Sequence, residues 1–523
     1  MRVTERSDLN GQRFDVIVIG GGINGASSAQ HLAAEGYSVL LADKGDFASG
    51  SSGRSTRMLH CGLRYFETPN PVRDFLFSPS RFRTALTMAR ASMETRAELA
   101  TDSSSRLVPY TLCFPVYKNG PYKPWHLDFG FKILGALGPK SVPLDYRRLP
   151  AREACELPLV SALAAQEQLL SVAMFREYML DWPERFCIDA VLDAERMGAT
   201  VRNYTMASLI ERDAQGFWHV GLTDADGAVS VTAPVVLNMA GIWIDQVNRT
   251  GTAEREPARL IIGTKGSHIV VQLPPEYRDY GIAAVNSIGE PHYCLPSQGG
   301  YHHIGPTETV YEGDIDYIRV TQNEVAFLLA ETKHVLPGLG LDETDVIYSW
   351  AGVRPLTFDP KVPKGNRSRE IHDLTAQGLP NVLAMTAGPV MSHRSAGREM
   401  AAAVRRLAAP SGQAQTPDYR PRHLPEDTNA LPLISGDESV RVSHLGYVVE
   451  NEHARELDDI LFARTGLGYR HRLTEAYVRK AAEAVSAHLG WDAGEINRQV
   501  EAVTARMSST YQPAALKGLR SAR

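Results

Sequence analysis

Phe14-Asp15-Val16-Ile17-Val18-Ile19-Gly20-Gly21-Gly22-Ile23-Asn24-Gly25 is the stretch on which the reading of this chain turns. Phe14 to Ile19 is short, apolar and β-branched, the pattern of a parallel strand buried on both faces. The glycines follow at once, in the spacing GxGxxG. Ala26 to Ala34 reads as a helix and Ser38 to Ala42 as a second buried strand, which completes a βαβ unit. In such a unit Gly20 permits the tight turn, Gly22 lets the backbone approach a pyrophosphate, and Gly25 lets helix and strand pack closely. The helix N-terminus adds amide donors and a partial positive charge. Asp43 ends the second strand, where a carboxylate accepts both ribose hydroxyls and repels a 2′-phosphate. A purely structural glycine turn is the alternative. Strand, helix and acid together favour a bound dinucleotide, with NAD and FAD both open.

Around this unit the composition is that of an ordinary globular protein. The chain has 523 residues, of which 43% are hydrophobic and 22% charged. Those values exclude dominant disorder and a disulfide-stapled miniprotein. At roughly 150 residues per domain, the length suggests about three domains. Lys and Arg number 55 against 60 Asp and Glu, a formal net charge of −5. That balance, with no dense Lys/Arg run, predicts no nucleic-acid partner. The five cysteines (Cys61, Cys113, Cys155, Cys187, Cys294) are scattered and lack CxxC spacing. Neither a disulfide framework nor a metal site is expected, and the compartment reads as reducing. Met1 to Arg13 lacks the apolar core of a signal peptide. No apolar run reaches the ~18 residues of a membrane-spanning helix, so a cytoplasmic protein is expected.

Further along, Met88 to Ala100 reads as a helix, and Pro109 to Leu149 is rich in aromatics, Gly and Pro. Pro183 to Gly198 reads as a helix leading into a strand from Thr200 to Tyr204. Trp218 to Thr223 and Val229 to Thr232 form an expected hairpin around Asp224-Ala225-Asp226-Gly227. Val235 to Asn238 reads as another buried strand, and Lys265 to Val271 and His302 to Gly305 as sheet strands. Val382 to Met385 is a last buried strand, followed by a turn and a helix from Gly397 to Leu407. Ala409 to Arg422 has the Pro/Gly/Gln-rich composition of a linker. Beyond Asp437 the pattern is mostly helical.

Ser51-Ser52-Gly53-Arg54-Ser55-Thr56-Arg57-Met58-Leu59-His60-Cys61-Gly62-Leu63-Arg64-Tyr65-Phe66-Glu67 follows the second strand. It resembles the FAD-dependent glycerol-3-phosphate dehydrogenase family, where the stretch ends in HGGLRYLE. The glycine turn resembles the family too, as do Lys265 to Val271, Ile304-Gly305-Pro306-Thr307-Glu308 and Ala351-Gly352-Val353-Arg354-Pro355-Leu356. The likeness continues through Leu445 to Arg464, in the same order. It implies an α/β fold: a glutathione-reductase-like FAD-binding domain, an inserted antiparallel-sheet cap domain and a C-terminal helical domain. The implied segments are 14–100, 170–260 and 350–408 for FAD, and 101–169 and 261–349 for the cap. A linker over 409–424 and helices over 425–523 would follow. The resemblance places FAD on Gly20, Gly22, Asn24, Gly25 and Asp43, with Ser51, Ser52, Ser55, Thr56 and Arg57 along the flavin and its linker. Asn238-Met239-Ala240-Gly241 stands where the family has NATG and keeps Gly241 as a cofactor contact. The resemblance also sets Gly388 and Pro389 at the flavin, from the turn after the last buried strand.

The family oxidises a secondary alcohol beside a phosphate ester. Such a reaction needs a hydride acceptor, which flavin N5 supplies, a base, and a clamp for a dianion. By resemblance Arg64, Arg354 and Arg367 bind the phosphate, with Tyr65 as a hydroxyl donor beside them. His60 and His268 are the general-base candidates, because an imidazole takes a hydroxyl proton at neutral pH. His60, His268, Arg64 and Arg354 form the expected catalytic set. One departure matters. The family usually has GGKLTTYR after the last buried strand, and this chain has Ala387-Gly388-Pro389-Val390-Met391-Ser392-His393-Arg394. Pro389 replaces the lysine, and His393 is a candidate substitute at the substrate. The change leaves glycerol 3-phosphate and a longer tetritol phosphate, such as erythritol phosphate, both open. Cys61 replaces the first Gly of HGG and reads as a small packing residue.

The resemblance also implies an electron acceptor, either a quinone or another oxidant; a homodimer is the expected assembly. Trp125, Phe129, Phe131, Ile133 and Leu134 lie beside Lys123, Lys132 and Lys140. That interleaving suits a peripheral contact with the inner membrane, and equally a packing segment of the cap. An amine or D-amino-acid oxidase of the same flavin fold is the competing enzyme. A flavin-dependent nucleic-acid-modifying protein and a noncatalytic flavoprotein complete the alternatives.

Overall fold

The computed structural model describes residues 9–66, 71–252, 256–427 and 429–507. Two sheets organise them. A six-stranded sheet runs in the order Glu370–Asp373, Val382–Thr386, Val235–Asn238, Val16–Ile19, Val39–Ala42, Thr200–Arg202. All neighbours are parallel except the edge strand Glu370–Asp373. Alternation decides what covers each face. Val16, Val18, Val39 and Leu41 pack with the helices Ile23–Ala34, Pro183–Arg196 and His393–Val404. Ile17, Ile19 and Leu40 pack instead on a three-stranded meander, Met206–Arg212, Trp218–Asp224 and Gly227–Ala233. Ile19 pairs with Ala42 on one side and Asn238 on the other. Gly20, Asp43 and Met239 therefore leave the sheet together at its C-terminal edge, where open parallel sheets bind ligands.

The second sheet has ten strands and is mainly antiparallel. Its path is Thr309–Val310, Ile261–Val271, His302–Gly305, Pro291–Pro296, Tyr280–Val285, Leu107–Tyr117, Leu169–Leu180, Met58–Leu59. Val346–Thr357 pairs with Ile261–Val271, and Arg147–Pro150 with Leu169–Leu180. The helix Pro124–Leu137 lies on one face through Leu127, Phe131 and Leu134. Gln322–Val335 closes the other. A third core gathers the C-terminal helices Val442–Asn451, Glu475–Leu489 and Ala493–Arg506 around Leu445, Val448, Leu457, Leu461, Val485 and Val500.

The structure refines three expectations. Met58–Leu59, Leu169–Leu180 and Val346–Thr357 belong to the ten-stranded sheet, although the sequence reading groups most of their residues with the FAD segments. Apolar alternation reports that a strand is buried but not which sheet accepts it. Residues 409–424 form no helix or strand, yet they do not hang free. Gly412 and Gln415 donate backbone N–H groups to Gly36 and Ala34 at 2.8 and 2.7 Å. Tyr419 Oη meets His31 Nε2 at 2.9 Å, so the segment is strapped along the nucleotide-binding unit. Phe131 and Leu134 are buried in the cap, with Phe131 stacked on Tyr146 at 4.2 Å, so neither can face a membrane.

Candidate active site

The turn after the first strand is closed by contact rather than by capping side chains. A Cβ on Gly25 would fall on the Gly20 carbonyl oxygen, and Gly20 itself has φ 107° against the Met239 carbonyl. No L side chain fits either place without moving backbone. Gly22 and Asn24 are half-exposed at the helix start, open to a ligand. Ser52 Oγ accepts the Ile23 amide at 2.9 Å, which puts that hydroxyl on the same helix end. Asp43 accepts the Gly21 amide at 2.6 Å and the Gly45 amide at 2.8 Å. Burial pushes its carboxyl up to about 6, with both amides and Lys44 holding it back and Asp46 adding to the rise. Gly241, at φ 58°, opens the turn after Val235–Asn238 on the same edge. This cradle suits a pyrophosphate and an adenosine ribose.

Beside it lies a cavity of about 280 Å³ at the seam of the two sheets. Ser51, Ser55, Thr56, Arg57, His60, Arg64, Tyr65, His268, Arg354, Arg367, Gly388 and Pro389 all line it. Ser51 Oγ donates to the Val353 carbonyl at 2.6 Å and so ties the cofactor loop to the strand that carries Arg354. Ser55 Oγ accepts the Arg57 amide at 3.2 Å, and Arg57 has φ 63°. Its guanidinium lies over Trp350 and Tyr469, which makes it a packing cation as well as a wall of the cavity. Gly388 and Pro389 enter from the turn after Val382–Thr386, and the preceding Ala387 amide is bonded to the Pro355 carbonyl at 2.8 Å.

The arginines converge. Arg354 stands over Gly266 on the paired strand, and a Cβ there would run into its guanidinium. Its Nη1 is buried with no hydrogen-bond partner among the described residues. Burial and then the charge of Arg367 lower its pKa to about 10; Arg64 adds to the shift and Glu308 opposes it, so it keeps its charge at neutral pH. Arg367 pairs with Glu308 at 2.5 Å. A guanidinium with a buried, unmatched donor and two further arginines beside it has the chemistry to hold an anion.

Both candidate bases are held neutral. Burial and Arg64 push His60 down to about 3, and its ring meets Tyr65 edge-on at 5.8 Å. His268 is also pushed well below the usual range, by burial first and then by His303, Arg354 and Arg57. It stacks on Trp350 at 4.6 Å and shares a hydrogen bond with Thr56 Oγ1 at 3.1 Å. His393 is the correction here. It begins the helix His393–Val404, is buried against Phe186, bonds the Val390 carbonyl through Nδ1, and does not line the cavity. The helix starts earlier than its apolar pattern suggests, which turns this ring into the core. Cys61 is fully buried, with its amide on Glu177 at 2.8 Å, and burial raises its thiol pKa strongly.

Sequence reasoning missed Glu308, Glu290, Tyr293 and Arg54, all in the cavity wall. Glu308 ends the motif Ile304-Gly305-Pro306-Thr307-Glu308, which is the sequence signal that points to it. Glu290 and Tyr293 sit at a strand with no motif around them. An apolar wall of Leu112, Phe114 and Phe175 completes the cavity.

Residues 15–403 match the FAD dependent oxidoreductase family. A glycerol-3-phosphate dehydrogenase of Synechocystis sp. is 31% identical over 411 residues, spanning 75% of this chain and 70% of that protein. An aerobic glycerol-3-phosphate dehydrogenase of Staphylococcus saprophyticus is 27% identical over 403 residues, 76% of this chain and 67% of that one. Among solved structures, the FAD complex of the Bacillus halodurans glycerol-3-phosphate dehydrogenase gives a TM-score of 0.71 at 20% identity, covering 96% of each chain. The FAD-bound L-alpha-glycerophosphate oxidase of Mycoplasma pneumoniae gives 0.59 at 17% identity, covering 80% of this chain and 100% of that one.

Proposed function

This chain belongs to the FAD-dependent oxidoreductases, within the glycerol-3-phosphate dehydrogenase family, and from that premise we propose that it oxidises the secondary alcohol of a polyol phosphate to the keto phosphate. Glycerol 3-phosphate and a tetritol phosphate such as erythritol phosphate are the two substrates that suit the site. The observation that carries the reading is the buried, unmatched Nη1 of Arg354 in a cavity shared with Arg64, Arg367, His60 and His268. FAD is the cofactor, and when bound on Gly20–Gly25 and Asp43 it supplies the hydride acceptor. Arg354 and Arg64 bind the phosphate, and Arg367 joins them when the anion competes for its bond to Glu308. Tyr65 donates its hydroxyl beside them. His60 takes the alcohol proton: it is neutral and its ring lines the cavity beside Arg64 and Tyr65. His268 Nε2 is already engaged by Thr56, which suits an orienting role. The apolar wall keeps water from the carbon that loses its hydrogen.

The test is anaerobic mixing of the holoprotein with glycerol 3-phosphate, then with each erythritol and threitol phosphate, read as bleaching of the oxidised flavin band. Bleaching by glycerol 3-phosphate means that Pro389 is tolerated in place of the family's lysine. Bleaching by a tetritol phosphate alone means that the shortened side chain there has changed the pocket. Bleaching only by sarcosine or a D-amino acid overturns the phosphate reading in favour of an amine or amino-acid oxidase.

For the reoxidising partner, a quinone at the cytoplasmic face of the membrane is the reading that the surface supports. Leu76, Phe77, Trp125 and Phe129 are 71, 77, 56 and 59% exposed. The first and the last two of them edge an apolar cavity of about 390 Å³ that shares Leu63 and Phe114 with the substrate cavity. An exposed apolar patch of this kind, flanked by lysines, fits a lipid surface, and the shared wall brings a quinone ring near the flavin site. No helix among the described residues is long and apolar enough to cross a membrane.

A further inference from the structure

The C-terminal helices contribute nothing to the substrate cavity, yet their most deeply buried charge reaches the cofactor cradle. Arg464, fully buried in the helical turn Asp459–Arg464, forms a fork on Asp46, with Nη1 to Oδ2 at 2.5 Å and Nη2 to Oδ1 at 2.8 Å. Its Nε donates to the Glu452 carbonyl at 2.9 Å, so the guanidinium is fixed in its plane. Asn203 Nδ2 reaches Asp46 Oδ1 at 2.9 Å and the His453 carbonyl at 2.7 Å.

Asp46 belongs to the loop that follows Val39–Ala42 and opens with the ribose acid Asp43. Neither strand nor helix holds this loop. Its neighbours in sequence do the work of the cradle. Phe47 presses its ring on Gly21 and meets His453 edge-on at 6.2 Å. The Ala48 amide donates to the Gly21 carbonyl at 3.1 Å, and the Tyr204 amide to the Gly45 carbonyl at 2.9 Å. The Tyr204 hydroxyl then donates to Asp459 at 2.7 Å. His453 at Phe47, Arg464 at Asp46 and Asp459 through Tyr204 at Gly45 thus hold the loop from outside at three places. A buried carboxylate deprived of its cation is drawn toward water, and the loop would follow it.

We propose that the C-terminal helical region is a clamp on the adenosine end of the FAD site, with Arg464 as its positioning residue acting through Asp46 on Asp43 and Phe47. The clamp sets how firmly FAD is retained. It is independent of which polyol phosphate the cavity takes.

The experiment uses the full-length protein, stripped of FAD reversibly and titrated with FAD by flavin fluorescence. Arg464→Lys keeps the charge and loses the fork, Tyr204→Phe removes only the bond to Asp459, and Arg498→Lys alters an exposed pair of the same region as a control. Arg464→Lys is expected to raise the FAD Kd at least tenfold and to speed FAD release on dilution. Activity lost on dilution should return with added FAD. Tyr204→Phe should raise Kd several-fold, and Arg498→Lys should leave it unchanged. A merely structural tie would lower the melting temperatures of the apo and holo forms together and leave Kd alone. An unchanged Kd in Arg464→Lys overturns the proposal. Should that variant fail to fold, an unchanged Kd in Tyr204→Phe overturns it equally.

Discussion

Arg354 is the residue on which the proposed phosphate recognition rests. Its guanidinium is largely enclosed and charged, and its Nη1 is buried without a partner, so it would gain more from a phosphate than an exposed arginine could. Arg354→Lys keeps a charge but loses the planar fork. We expect it to cost about 2–3 kcal/mol in the reductive half-reaction, roughly 30- to 150-fold in kcat/KM, with FAD content unchanged. Stopped-flow bleaching checks this. His60 leads to a pH prediction. Its free-enzyme pKa is lowered to about 3, so the neutral, proton-accepting form is already present throughout pH 5–8. The acid limb of kcat/KM should therefore follow the second ionisation of the substrate phosphate, at about pH 6, and not an imidazole. His60→Asn should lower the whole profile without shifting that limb. A wild-type limb that disappears in His60→Asn would contradict the assignment.

At the scale of elements, the glycine turn and the loop after Val39–Ala42 are the sensitive parts. Gly25→Ala drives a methyl into the Gly20 carbonyl, and we expect a folded but colourless protein or none at all, read from the flavin absorbance of the purified chain. Asp43 titrates within reach of ordinary buffers, because burial has raised it to about 6. The sign follows from that rise. With Asp43 at the adenosine ribose as proposed, the carboxylate above about 6 is ionised and should accept ribose hydroxyls; as pH falls through 6 it protonates and FAD affinity should fall, by at most about tenfold per pH unit. Asp43→Asn should weaken FAD at neutral pH and flatten that dependence, as measured by fluorescence titration from pH 5 to 8. The strand pairing of Ile261–Val271 with Val346–Thr357 is equally specific, since Gly266 sits opposite Gly352 and leaves room for the Arg354 guanidinium above it.

For the whole molecule, function lies at seams. The substrate cavity sits between the parallel sheet that carries the cradle and the ten-stranded sheet that carries Arg354 and His268, and neither sheet encloses it alone. The apolar cavity beside it opens on Trp125 and Phe129. Replacing both, as Trp125→Ser with Phe129→Ser, should abolish flotation of the holoprotein with anionic liposomes and slow quinone reduction. Anaerobic flavin bleaching by substrate should stay as in the wild type, because neither side chain reaches the substrate cavity. Retained flotation would remove this surface as the membrane contact.

The cradle was legible in the chain because its parts are contiguous. A strand, three glycines, a helix and an acid at the next strand end follow one another, and local backbone sterics and hydrogen bonding dictate their shape. The arginines and histidines of the cavity were legible only through resemblance to a family, since Arg64, Arg354 and Arg367 come from separate stretches and nothing in their spacing brings them together. Tertiary structure alone decided the rest. It paired Arg367 with Glu308 and turned His393 into the core through an earlier helix start. It buried Phe131 while leaving Phe129 exposed on the same helix, strapped residues 409–424 to the nucleotide-binding unit, and set Arg464 on Asp46. Each of these is a contact between segments far apart in the chain. Periodicity reveals that a side chain is buried, whereas its partner depends on how whole layers pack.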